Sequence, residues 1–218
     1  MSEYNYEYEW DSNYCYPKSF VLKNKLGITE AEKLSEAERR VTALNLLEIK
    51  DMPVRGKFDL KHLCSIHKAI FFDIFTWAGK LRVVDIYKGN QFCLCQHLES
   101  YAADIFAELK ADKFLQGKPA NEMPERLTYY LSEINVLHPF RDGNGRAQRV
   151  FIEYLAQTAG FYVDFSTVSG KEMIEASALS FGHEYGMMID MFKRIVSPIT
   201  PQEQQTFHRK IGMDMCEI

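Results

Sequence analysis

A chain of 218 residues, 46% hydrophobic and 26% charged, is long enough for one domain, at most one and a half, and its composition excludes a wholly disordered, collagen-like or membrane-embedded protein. A net charge of −4 provides no concentrated basic face, so direct nucleic-acid binding is not expected. No stretch reaches the roughly 18–20 apolar residues of a bilayer span, and the acidic, aromatic start MSEYNYEYEWDSNY lacks the order of a secretory signal, which makes the cytoplasm the expected compartment.

From Ile28 onward apolar residues recur at three- and four-residue steps, with Gly or Pro between blocks, so the fold class expected is all-α. The first predicted helix covers 29–48, with Thr29 as N-cap and Leu34, Ala37, Val41, Leu44 and Leu47 along one stripe. The second covers 59–75. Helices over 98–113 and 121–137 follow, then 145–160, closing on Gly160 as a C-cap. Segments 170–179 and 184–196 complete the set, and the polar stretch after Pro198 reads as a frayed tail. One segment breaks the rhythm. Residues 82–94 place Val83, Val84, Ile86 and Tyr87 before Lys88, Gly89 and Asn90, and Phe92 to Leu94 after them, which predicts a β-hairpin. A lone hairpin needs support from the bundle or a task there.

Cys15, Cys64, Cys93, Cys95 and Cys216 form no CxxC pair and read as reduced thiols. GxxxxGK[ST], GxGxxG after a strand and HExxH are all missing, so catalysis needs another device. The chemistry concentrates in HPFRDGNGRAQR, residues 138–149, between two predicted helices. Gly143, Asn144 and Gly145 tolerate positive φ and open onto a helix N-terminus, which makes a cradle for an anion. Arg146 and Arg149 are spaced to reach the same side of that helix, where cations oppose the dipole and are better explained by phosphate oxygens. Asp142 is a hard oxygen ligand suited to Mg²⁺ that bridges phosphates. His138 has the ordinary pKa of a general base at neutral pH. A helix-ending turn with Asn144 as N-cap would explain any one of these residues. It needs neither the His before it nor the two arginines after it.

HPFRDGNGR followed by AQR resembles the signature of the Fic family at every specified position. Tyr16-Pro17, LKNKLGI at 22–28, Ile66-His67, FTWAG at 75–79, LRVVDIY at 81–87 and EINVL at 133–137 extend the resemblance across residues 14–197. That leaves 1–13 as an N-terminal extension and 198–218 as a tail. The resemblance implies a Fic-type helical bundle with a β-hairpin flap, and transfer of AMP from ATP to a hydroxyl of a target protein. It implies His138 as base, Asp142 as the Mg²⁺ ligand, and Gly143, Asn144 and Gly145 as the anion hole, with the Asn144 side chain on the α-phosphate. Arg146 and Arg149 would hold the outer phosphates, Phe140 would anchor the core, and Lys88, Gly89 and Asn90 would register the target segment by strand addition, unless the hairpin only packs. Gly145 stands where the related Doc kinases carry Lys. A kinase-like reaction, another nucleotidyl transfer, or a non-catalytic nucleotide-binding module are the alternatives.

Many Fic proteins carry an inhibitory [ST]xxxE[GN] helix. Only Ser180 has a Glu four residues on, Glu184, and Tyr185 then breaks the pattern. The absence resembles toxins held by a separate small antitoxin, whose Glu would pair with Arg149 and for which residues 30–40 are a candidate docking surface. Similarity to short bacterial Fic toxins implies type II topoisomerase subunits as targets. His62, His67, His97, His183 and His208 lack metal-ligand spacing and read as structural or surface groups, and the tyrosines at 4, 6, 8, 14 and 16 as packing or self-modification sites.

Overall fold

The computed structural model describes residues 11–213. Among them are eight α-helices: α1 (Ala31–Asp51), α2 (Leu60–Phe71), α3 (Leu98–Ala111), α4 (Met123–Leu137), α5 (Asn144–Ala159), α6 (Gly170–Phe181), α7 (Gly186–Ile195) and α8 (Pro201–Ile211). α5 is the axis of the bundle. Ala147, Phe151, Ile152, Leu155 and Ala156 bury several of its faces, as a helix surrounded by others requires, and α2, α4 and α8 pack around it. Local chemistry sets the ends. Asp59 accepts the His62 N–H to start α2, Pro124 sits in the first turn of α4, and Gly160 closes α5 at φ +94°.

The sequence misplaced several features. α1 begins at Ala31, with Glu30 at its N-cap and no side-chain cap, so Thr29 does not serve. Leu44 and Leu47 are 68% and 63% exposed; α1 buries Leu34, as expected, together with Thr42 and Ile49, because the helix contacts the bundle along a narrower stripe. α2 ends at Phe71, four residues early, and the chain turns through Ile74 to Gly79. The hairpin pairs only β1 (Tyr87–Lys88) with β2 (Asn90–Gln91), around Gly89 at φ +72°.

The stretch after Pro198 is not frayed. Thr200 and Glu203 form a reciprocal capping box that starts α8, and Phe207, His208 and Ile211 are buried. A second small sheet was also missed: β3 (Phe161–Val163) pairs antiparallel with β4 (Val196–Pro198), Tyr162 opposite Ser197. Cys15, Cys64, Cys93 and Cys95 are free thiols, and Tyr14 packs edge-on against Trp77. Tyr4, Tyr6, Tyr8, Cys216 and most of the extension lie outside the described residues. No helix of the described residues is long and apolar enough to cross a membrane.

Candidate active site

The loop between α4 and α5 is fastened from three sides. Asn144 closes it internally: its Oδ1 accepts the Phe140 N–H at 2.9 Å and its Nδ2 donates to the Phe140 carbonyl at 2.8 Å. Oδ1 and one Nδ2 proton of the side chain thus fasten the loop, which leaves the second Nδ2 proton and the backbone N–H in the open first turn of α5 to offer an anion. Phe140 is fully buried and stacks on His67, ring centroids 3.9 Å apart. His67 accepts the Gly79 N–H at Nδ1 (2.9 Å), so its Nε2–H donates to the Asp142 carbonyl (2.9 Å). Burial pushes its pKa down to about 4, which keeps it neutral. Gly143 is at φ +79°, and a Cβ there would lie 2.3 Å from the Phe71 ring, so only glycine lets the loop pass.

His138 caps α4 in the left-handed region, φ 43°. Its Nδ1 lies 3.3 Å from the Asn135 carbonyl, an acceptor, which places the proton on Nδ1 and leaves Nε2 bare. Nε2 is buried without a hydrogen-bond partner among the described residues. Burial, with help from the Lys88 and Arg82 charges, takes the imidazole down to about 3. The result is a neutral ring with one unsatisfied lone pair. It borders a cavity of about 210 Å³ that also meets Gly145, Arg149, Lys88 and Asn90, with Leu131, Met173 and Phe181 as an apolar wall.

The two arginines diverge. Arg149 faces this cavity and makes no ion pair among the described residues; burial and the neighbouring Arg146 charge lower its pKa. Arg146 is committed elsewhere. Its guanidinium pairs with Glu38 of α1 at 2.5 Å, donates to Thr42 Oγ1 at 3.2 Å, and lies 4.5 Å from the Phe71 ring centre. It opens onto a second cavity of about 600 Å³ between α1, α5 and β3, of which Arg149 forms a shared wall. Glu38 of α1 holds the first arginine, while both arginines line this second cavity. Asp142 is half-buried, its Oδ1 accepting the Gly143 N–H at 2.6 Å. Among the described residues no three His, Cys, Asp or Glu side chains gather as a metal site. Of the flap residues, Lys88 and Asn90 face the cavity while Gly89 stands in open space; burial lowers the Lys88 pKa.

Sequence reasoning missed three supports. His67 was read as a structural or surface histidine, although the dipeptide Ile66-His67 was part of the resemblance. Arg82 is 2% exposed: its Nε donates to the His138 carbonyl at 2.8 Å, its other nitrogens donate to the Val84 and Cys93 carbonyls, and its backbone N–H donates to Pro139. Phe92 stacks on the His138 ring. Apart from Asp85, 3.7 Å away, the partners of Arg82 are backbone carbonyls, which no local pattern marks.

Residues 57–156 match the Fic/DOC family. The chain is 38% identical over 186 residues to the Probable protein adenylyltransferase Fic of Salmonella typhimurium, covering 84% of this chain and 92% of that one. The chain belongs to the Fic/DOC family. It is also 39% identical over 188 residues to Protein adenylyltransferase VbhT of Bartonella schoenbuchensis, 86% of this chain but 39% of VbhT's length. Among solved structures, the N-terminal Fic domain of a cell filamentation protein from Bartonella quintana superposes with a TM-score of 0.81 at 31% identity, covering 91% of this chain and 98% of that one. The BepC protein of Bartonella tribocorum, solved with bound AMPPNP, gives 0.79 at 28% identity, covering 86% and 98%. The enzyme class of these named relatives is nucleotidyl transfer, and this Fic chain is an enzyme of that class.

Proposed function

We propose that this Fic-family enzyme transfers AMP from ATP to a Ser, Thr or Tyr hydroxyl of a second protein. The observation that carries the reading is the bare Nε2 of a neutral His138 on the cavity that also meets the α5 N-terminus and Arg149. The target oxygen attacks the α-phosphorus, the bond to the β-phosphate oxygen breaks, pyrophosphate leaves, and the hydroxyl proton goes to Nε2. The first-turn N–H groups of α5 and the Arg149 guanidinium face developing phosphate charge. The apolar wall of Leu131, Met173 and Phe181 suits a nucleobase.

Mg²⁺ fits a single carboxylate of this kind, because it takes most of its ligands from phosphates and water. Asp142 Oδ2 would hold it, and the bound ion would supply charge neutralisation and a template for the phosphates. Gly145 favours nucleotidyl transfer over the kinase-like alternative: a Cβ at this position already comes within 3.3 Å of Arg149 Nη1, so a longer side chain would compete for the phosphate site.

The test is incubation with ATP labelled on the α- or γ-phosphate, with bacterial lysate as acceptor. Label from the α position, with a mass increment of about 329 Da on the acceptor, is expected from the wild-type chain and is expected to vanish in His138→Ala while ATP binding persists. Label from the γ position alone would replace transfer of AMP by kinase chemistry.

A toxin role in the cytoplasm, restrained by a small antitoxin whose Glu pairs with Arg149, is supported by the place of Arg149 on the cavity, where the opposite charge it feels, Glu153, forms no salt bridge with it among the described residues. Ser180 is buried and bonds back to Ser177, and Glu184 is exposed, so neither resembles an inhibitory pair. On α1, Glu30 pairs with Lys33 and Glu36 with Arg40, as a solvated face would, which weakens residues 30–40 as the docking surface. Loss of labelling on adding the product of the neighbouring gene, and its return in a Glu→Gln form of that product, test the role. Labelled type II topoisomerase subunits in the lysate would support the target that the resemblance implies.

A further inference from the structure

We infer that Phe92, the first residue after β2, is a positioning residue for the base: its ring fixes the plane of the His138 imidazole and so ties the flap's posture to the chemistry. The inference rests on the reading of His138 as the base. The two rings lie parallel, centroids 3.7 Å apart and planes 15° apart. Nothing else holds the imidazole as closely. Its hydrogen bond to Asn135 is long at 3.3 Å, at the edge of what orients a group, and its other nitrogen has no hydrogen-bond partner among the described residues. A ring held by one weak bond turns about its side-chain torsions unless packing prevents it.

Phe92 is itself immobilised. The edge of Phe181 from α6 meets it at 5.8 Å and 80°. Its N–H donates to the Ile86 carbonyl across the hairpin, and the next residue, Cys93, donates to Val136 at the end of α4 at 3.0 Å. Arg82 completes the frame by gripping the His138 carbonyl together with the carbonyls of Val84 and Cys93, one on each limb of the flap. His138 is thus held at its backbone through Arg82 and at its ring through Phe92, and both supports belong to the flap. A target segment that adds to the strand edge of β1 or β2 pushes on the same hairpin. Ordinary core packing would cover any side chain in this way; it would not leave the Nε2 acceptor orphaned at the cavity, which is the atom a hydroxyl must reach.

The test compares Phe92→Leu, which keeps apolar bulk and removes the ring, with Phe92→Tyr, which restores it. Initial rates of α-labelled AMP incorporation into lysate protein are measured across ATP concentrations. The full chain, with histidines labelled for NMR, reports the His138 ring resonances, assigned by their loss in His138→Ala. In Phe92→Leu the maximal rate should fall about tenfold or more, the KM for ATP should stay within about twofold, and the His138 ring protons should lose their stacking-induced upfield shift. Phe92→Tyr should restore rate and shift together. Wild-type rates in Phe92→Leu overturn the inference, as does an equal loss in both variants with the His138 resonances unmoved, since that would mark Phe92 as packing only. Label that persists in His138→Ala overturns instead the reading of the base, and this inference falls with it.

Discussion

Acid should loosen the phosphate loop from behind, through His67. Both of its nitrogens are used in the neutral form alone: Nδ1 accepts from Gly79 and Nε2–H donates to Asp142, while Phe71 and Phe140 sandwich the ring at 4.6 and 3.9 Å. A proton on Nδ1 would face the Gly79 N–H. The folded pKa of about 4 lies below the unfolded value of 6.5, so the stability it contributes is present above 6.5 and lost as pH falls towards 4. At about 1.4 kcal/mol per pH unit between the two states, moving from about pH 8 to about pH 5 removes about 2 kcal/mol through His67.

Wild-type stability alone hides this loss. His138, at about 3, adds a change of the same sign and about the same size over this interval. Glu153 opposes both. Burial raises its carboxyl to about 7, so its stability is present below 4.5, lost as pH rises through 7, and regained by about 2.5 kcal/mol on the way down to about pH 5. The clean measurement is a difference. His67→Gln keeps a donor and an acceptor and removes the proton site. Urea unfolding of wild type and variant, followed by the fluorescence of buried Trp77 at both pH values, should show the variant's pH-dependent change displaced by about 2 kcal/mol in the stabilising direction. Equal changes within about 0.5 kcal/mol would refute the argument that His67 must stay neutral to hold the loop.

Gly143→Ala forces a Cβ into the Phe71 ring at positive φ, so a loss of about 2 kcal/mol or more in urea unfolding is expected, together with loss of AMP transfer. Arg149→Ala should weaken ATP binding by about tenfold in calorimetry, because a charge-assisted contact to phosphate disappears, and should raise the Glu153 pKa further, since the Arg149 charge lowers it. Thr200→Ala removes the capping box of α8 and should cost about 1 kcal/mol in urea without changing transfer.

The chemistry was legible where it is contiguous. His138, Asp142, Gly143 and Arg149 lie within a dozen residues, and the roles proposed for them rest on backbone freedom, charge and a helix N-terminus, properties a linear string carries. Helix positions were legible for a similar reason, since a 3.6-residue rhythm and terminal glycines are local. What the sequence hid is long-range. The pairing of Arg146 with Glu38 was not foreseen because nothing near residue 146 announces a partner over a hundred residues earlier. The bond from Asn144 to Phe140 was not foreseen because it exists only once the loop turns back on itself. α8 was read as a tail because its polar faces dominate its composition, although Thr200 and Glu203 already spelled a capping box three residues apart; that signal was present and was passed over. The sheet of β3 and β4 joins segments 33 residues apart at their closest, and three-residue strands carry too little periodicity to be seen alone. The general pattern is physical. A side chain that acts on ligand announces itself by its type in an unusual place, whereas one that holds another side chain, as Arg82, His67 and Phe92 hold the loop and its base, looks ordinary until the fold brings the two together.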